Sequence, residues 1–153
     1  MSTHPWFISG FTDGEGSFHV AVVRRNDLPL KWAVIPEFHV SQNQERVSVL
    51  TEIQTFFGCG SIKENHRGRL NDVSQVFVVR RRSALVKVII PFFESYPLRS
   101  SKKQDFTVFA SIVRSMESGV HRDPVGLRLL IEQAYQMNGA GKYRKIRIEM
   151  ITV

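Results

Sequence analysis

The chain has 153 residues, enough for one compact domain and too few for two ordinary ones. A hydrophobic content of 42% excludes an intrinsically disordered chain, and the single cysteine, Cys59, excludes an internal disulfide and a cysteine-based zinc cluster. The formal charge of +7, from 21 Lys plus Arg against 14 Asp plus Glu, suits a polyanionic partner, because neutralising phosphates releases their counterions.

In chain order, His4 to Asp13 reads as a short helix that breaks at Gly14-Glu15-Gly16. Ser17 to Arg25 alternates like a strand, with Phe18, Val20 and Val22 on one face and Ser17, His19, Ala21, Val23 and Arg25 on the other. After an Asn26-Asp27-Leu28-Pro29 turn, Trp32 to Gln42 reads as a second strand, with Val34, Phe38 and Val40 inward and Glu37, His39 and Ser41 outward. Gln44 to Phe57 has helical spacing through Val47, Leu50, Ile53 and Phe57, and Gly58 and Gly60 end it. Ser61 to Asn65 and Val73 to Arg80 are further strands around a loop that carries Arg67 and Arg69. Ser83 is expected to cap a helix through Leu85, Val88 and Ile89 that Pro91 stops. Ser101 is expected to cap a helix with the stripe Phe106, Phe109, Val113 and Met116. Asp123 followed by Pro124 starts a last helix, with the stripe Leu127, Leu130, Ile131 and Ala134, that ends near Gly139.

The order αββαββα, followed by two more helices, implies an α+β fold. Its four-stranded antiparallel sheet has helices on one face and an open, polar face on the other. Arg24, Arg25, Lys31, Lys63, Asn65, Arg67 and Arg69 gather on that face and its hairpin loops. Such a sheet could enter a major groove, which admits a two-stranded ribbon. No apolar run reaches 18 residues, so no membrane-spanning helix is expected. Met1 to Pro5 lacks the features of a signal peptide, and an intracellular location is expected.

The densest chemistry lies in Ile8-Ser9-Gly10-Phe11-Thr12-Asp13-Gly14-Glu15-Gly16. Gly10 and Gly14 share one helix face, which lets a second helix approach closely, although interior glycine costs about 1 kcal/mol relative to Ala. Asp13 and Glu15 follow at the helix C-terminus, where the dipole is already negative, and this points to a nearby cation. A divalent metal such as Mg²⁺ would supply it, and pairing two such helices would bring two Glu15 carboxylates to one centre.

These nine residues resemble the signature of the LAGLIDADG homing endonucleases. Gly10, Asp13 and Gly16 are identical to it; Ile8, Ser9, Phe11, Gly14 and Glu15 are conservative, and Thr12 departs mildly. Ser17-Phe18, the element order and the stretch from Tyr96-Pro97-Leu98 to Asp105-Phe106 extend the likeness over nearly the whole chain. The resemblance implies a saddle-shaped sheet over the DNA major groove and a metal held by Glu15 with help from the Gly14 carbonyl. Ca²⁺ is expected to support binding without cleavage. Phe7, Gly10, Phe11, Asp13 and Gly14 would lie at the interface with a second copy, with Asp13 structural rather than catalytic. Gln42 matches a residue that orders water near the metal, although it also suits a helix cap or a plain surface position. Lys102 or Lys103 matches a basic residue that stabilises the charged transition state, and the Ser101-Lys102-Lys103 run leaves the register open.

The resemblance implies a homodimer that cuts double-stranded DNA at near-palindromic sites and leaves 3′ overhangs, from a gene of organellar location. The DNA-contacting positions would be Ser17, His19, Ala21, Val23 and Arg25, then Glu37, His39 and Ser41. Ser61, Lys63, Asn65, Gln75 and Phe77 would join them, with Arg67 and Arg69 on the backbone. His4-Pro5-Trp6-Phe7 resembles the first half of two-signature members, yet no second signature follows residue 18, so a natural homodimer or a self-associating half of a longer protein is expected. An intron-RNA maturase and a non-cleaving DNA-binding regulator are the alternatives on the same scaffold. The five scattered histidines do not form a His-Asn-His nuclease pattern.

Overall fold

The computed structural model describes residues 2–65, 71 and 73–153. The expected backbone contacts Arg67 and Arg69 lie outside the described residues.

Helix α1 spans Pro5–Glu15 and ends two residues later than the sequence pattern suggests. Gly14 and Glu15 complete its last turn instead of breaking it, and the Gly16 N–H donates to the Thr12 carbonyl. His4 caps the other end by accepting from the Trp6 amide, and Pro5 occupies the first position, where a missing N–H costs nothing. The helix buries Ile8, Ser9 and Thr12 against the rest of the fold.

Strands β1 (Gly16–Arg24), β2 (Trp32–Asn43), β3 (Ser61–Glu64) and β4 (Ser74–Val79) form one antiparallel sheet in the order β1-β2-β4-β3. The two hairpins therefore meet at β2 and β4. One face carries Phe18, Val20, Val22, Val34, Phe38 and Val40, all buried as the alternation predicts. Phe18 is the hub of the core, with its ring 5.2 Å from Phe38, Phe106 and Phe109 and 5.3 Å from Phe93.

Strand β4 departs from expectation. Val40 pairs with Phe77, so Phe77 points into the core and is fully buried. Gln75 shares that side, opposite Gln42. Phe77 is thus not on the open face, and Ser74, Val76 and Val78 take that side instead. Val76, Phe77, Val78 and Val79 are all buried, and a strand buried on both faces has no visible two-residue alternation.

Helix α2 (Ser48–Phe57) follows a single 3₁₀ turn and ends at Gly58, whose φ of 66° suits glycine. Pro91 does not stop the next helix. Arg82–Ala84 (α3) passes through a π-helical stretch, Leu85–Ile89, into α4 (Ile90–Ser95), and the wider turn accommodates the proline ring. Ser83 makes no cap there. Helix α5 (Lys102–Glu117) is capped by Ser100, whose hydroxyl accepts from the Lys102 amide, rather than by Ser101. Its stripe of Phe106, Phe109, Val113 and Met116 is buried.

Helix α6 (Pro124–Tyr135) starts where expected, with the Asp123 carboxylate accepting from the Gly126 amide at 3.0 Å. It stops at Tyr135, and the short α7 (Met137–Ala140) follows with left-handed Asn138 and Gly139. Asn138 donates to the Phe18 carbonyl on the β1 edge, and the Trp32 indole donates to Thr152, so the C-terminal segment is tied to the sheet. Among the described residues, no helix is long and apolar enough to cross a membrane.

Candidate active site

Three side chains converge where α1 hands over to β1. Glu15, the last residue of the helix, is exposed. Lys102, the first residue of α5, reaches back to this turn and donates to the Thr12 and Asp13 carbonyls, each at 2.9 Å. Asp13 is turned toward the segment that leads into α5. Its carboxylate accepts from the Arg99 amide at 2.7 Å, the Ser100 amide at 3.2 Å and the Ser100 hydroxyl at 2.5 Å. Partial burial raises the Asp13 pKa, but these donors and the nearby Lys102 charge outweigh it and hold the carboxyl below its ordinary range. Asp13 therefore spends acceptors inside the chain, joining α1 to the start of α5.

Lys102 changes the reading of the acids. A carboxylate at a helix C-terminus calls for a cation, and the first one supplied is this ammonium. Burial lowers the Lys102 pKa, partly offset by Asp13, Glu15 and Asp105. Two of its three N–H donors are occupied, which leaves one for water or a phosphate oxygen. Of the two lysines, Lys102 is the one that reaches the end of α1. Lys103 belongs to a separate cleft beside Trp6, Pro97 and Arg99, while Lys102 sits at the acid.

The helix end offers hard oxygen donors, the Glu15 carboxylate and the Gly14 carbonyl, of the kind that suit Mg²⁺. Among the described residues, no group of three or more His, Cys, Asp or Glu side chains is placed to hold a metal. Gln42 lies two residues beyond Val40, which pairs with Gly16, so it sits at the sheet end that receives α1. Its side-chain oxygen accepts from the Asn43 amide at 3.2 Å.

Along the outer side of α1, Phe7 is 45% exposed with its ring tilted against that of Phe11 at 5.8 Å, while Gly10 and Gly14 are open. A Cβ on either glycine would meet nothing within 4 Å. Among the described residues, no close packing accounts for these two glycines. Gly16 differs: its Cβ would lie 2.6 Å from Thr12 Cγ2 and 2.8 Å from the Thr12 carbonyl.

On the open sheet face, Ser17, His19, Ala21, Val23, His39 and Ser41 alternate away from the core, and Ser61 and Lys63 stand across from Val78 and Val76. Asn65 donates its amide to the Ser74 carbonyl just past β3. Arg25 lies in the β1–β2 turn, clamped to Asp27 at 2.7 and 2.9 Å. Glu37 is on this face but buried, with its carboxylate bound by His39 Nε2 at 2.6 Å and by Arg80. Those bonds hold the Glu37 pKa down at about 2 against the effect of burial. Glu37 is therefore not a free contact. Arg80, opposite Glu37 across β2–β4, is an exposed group on this face that the sequence pattern hides, because the run of buried residues in β4 masks its alternation.

The profile of the family described as LAGLIDADG endonuclease matches residues 8–113. "Probable intron-encoded endonuclease 2" of Neurospora crassa is 32% identical over 88% of this chain and 29% of its own length. "Homing endonuclease I-ApeII" of Aeropyrum pernix is 27% identical over 91% of this chain and 81% of its own. The chain spans about a quarter to two fifths of several curated relatives that it matches. The crystal structure of the homing endonuclease I-TnaI superposes with a TM-score of 0.85 and 35% identity over 99% of this chain and 95% of that one. I-SmaMI, bound to an uncleaved DNA target in the presence of calcium ions, gives 0.83 and 29% over 89% of this chain and 45% of that one. The chain belongs to the LAGLIDADG endonuclease family.

Proposed function

We propose that this chain is a metal-dependent endonuclease for double-stranded DNA that works as a pair of identical subunits joined along α1. The observation that carries this reading is the coincidence, on one short helix, of an unoccupied glycine face and an exposed terminal acid with a lysine beneath it. Pairing two α1 helices through Phe7, Gly10, Phe11 and Gly14 brings their C-termini, and so two Glu15 carboxylates, to one axis. Two-fold symmetry then makes the preferred target near-palindromic, and cutting both strands leaves 3′ overhangs.

Glu15 and the Gly14 carbonyl of each subunit would hold Mg²⁺, which when bound polarises the phosphoryl oxygen and lowers the pKa of water. Lys102 keeps the last turn of α1 in register and offers its remaining N–H to negative charge developing on the phosphate. Gln42 extends the polar rim at the same end of the sheet. The open sheet face supplies base contacts through Ser17, His19, Ser41 and Lys63, and the net charge of +7 supplies the salt-sensitive part of the affinity. The calcium complex of I-SmaMI supports Ca²⁺ as an ion that permits binding without cleavage. Relatives described as intron-encoded support an origin in an intron, which we place in an organelle.

Incubating a randomised duplex library with the protein and Mg²⁺, then sequencing the ends, tests the reading. Cut sites with two-fold symmetry and 3′ overhangs are expected, with loss of cutting in Glu15→Gln. Cutting that survives in Glu15→Gln, or in EDTA, would overturn it.

A further inference from the structure

On the open face of the sheet, one rung runs across three strands from His19 through Glu37 to Arg80. The ladder pairs His19 with Glu37, and Arg80 continues β4 opposite Glu37, one position past Val79. Glu37 is a carboxylate with both oxygens committed. Oε2 bonds His39 Nε2 at 2.6 Å and Oε1 pairs with Arg80 Nη2. Its side chain is 9% exposed, whereas that of Arg80 is 60% exposed. Buried on the same face as Val76 and Val78, this acid serves to hold its neighbours, because each of its oxygens already has a donor. Among the described residues, only one Arg80 nitrogen is engaged, which leaves most of its five N–H donors for a ligand. Arg80 also lines an open cleft of about 500 Å³ with Ser61, Lys63 and Arg81, which leaves room beside it for a ligand edge.

Resting on the nuclease reading above, we propose that Arg80 reads a guanine in each half-site and that Glu37, braced by His39, is the positioning residue that fixes its fork. A guanidinium matches guanine O6 and N7 with two parallel hydrogen bonds, provided that its plane is set. An unpaired arginine on a basic surface is drawn to any phosphate and must lose rotamer freedom on binding a base. A carboxylate behind it removes both problems: it offsets part of the charge and orders the side chain beforehand. Glu37 therefore makes no base contact of its own.

The test is a binding selection from a randomised duplex library in Ca²⁺, with wild type, Arg80→Lys, Arg80→Ala and Glu37→Gln compared after a melting control. The wild type should enrich a guanine at one position of each half-site. Arg80→Lys keeps the charge but not the fork, and should lose that preference by roughly ten- to hundredfold while all other positions and the salt slope persist. Glu37→Gln should broaden the same position alone. Arg80→Lys enriching the same guanine would overturn the inference and leave the nuclease reading standing. So would an Arg80→Ala loss spread evenly over all sequences with the salt slope reduced by about one, the mark of a phosphate contact. A wild type that enriches no sequence would sink both.

Discussion

Lys102 donates to the main-chain carbonyl of Asp13 at 2.9 Å, although 89 residues separate them along the chain. The Asp13 carboxylate in turn holds the Arg99 and Ser100 amides that lead into Lys102. The signature acid bonded to the start of α5 thus builds the mount for the lysine beside the exposed acid, Glu15. Glu15 is set by a closed loop of contacts between α1 and α5, not by α1 alone.

That loop separates the two neighbouring lysines. Lys102→Met removes a charged donor from two helix-terminal carbonyls and should cost about 1–3 kcal/mol of stability. It should also slow cleavage at least tenfold at a temperature where the variant is folded. Lys103→Ala touches neither carbonyl and should stay within about 0.5 kcal/mol of wild type. Urea denaturation and single-turnover cleavage measure both, and equal effects at the two positions would refute the assignment.

Gly10→Ala should separate folding from pairing. Its Cβ meets nothing within 4 Å among the described residues, so the better helix former should raise protomer stability by about 0.5–1 kcal/mol. In a dimer closed on the glycine face, the same methyl should weaken association. Sedimentation over a dilution series should show a dissociation constant raised at least tenfold, more so for Gly10→Leu. An unchanged constant would contradict the pairing surface.

Gly16→Ala should behave in the opposite way. The added Cβ would sit 2.6 Å from a methyl and 2.8 Å from a carbonyl of Thr12, a residue with no exposure, so the backbone must shift. A loss of about 1–3 kcal/mol is expected in chemical denaturation, against little change or a gain for Gly14→Ala. Equal outcomes for the two glycines would show that the close approach at Gly16 is not what the position requires.

The Glu37 cluster predicts a dependence on acid. Its carboxyl is held at about 2 in the fold against an ordinary 4.5, so the unfolded chain binds the extra proton between those values. The stabilisation is complete above pH 4.5 and is lost as pH falls toward 2. In Glu37→Gln, the fall of stability across that window should be shallower than in wild type. An identical slope would mean that the carboxylate bonds to His39 and Arg80 contribute nothing to folding.

Strand and helix order was legible in the sequence because β1, β2 and α6 each have one buried and one solvated side, and only such elements write their period into residue type. Asp123-Pro124 and Gly58 were legible because capping chemistry is local. Phe77 and Arg80 were not, since β4 buries both faces and its valines hide the alternation. Pro91 was misread as a stop because a π-turn can absorb a proline when tertiary packing favours continuation. At the site, Glu15 and the open glycines were visible in one short motif. The choice of Lys102 over Lys103 was not, because it depends on where α5 begins against α1, a contact across 89 residues.

The most direct test of the paired-acid centre is the mass of the protein on its selected duplex in Ca²⁺, measured by sedimentation or native mass spectrometry. Two protomers per duplex, with Gly10→Leu reduced to weak or no complex, is the predicted result. A stable complex of a single protomer with its target, still cut when Mg²⁺ replaces Ca²⁺, would contradict it.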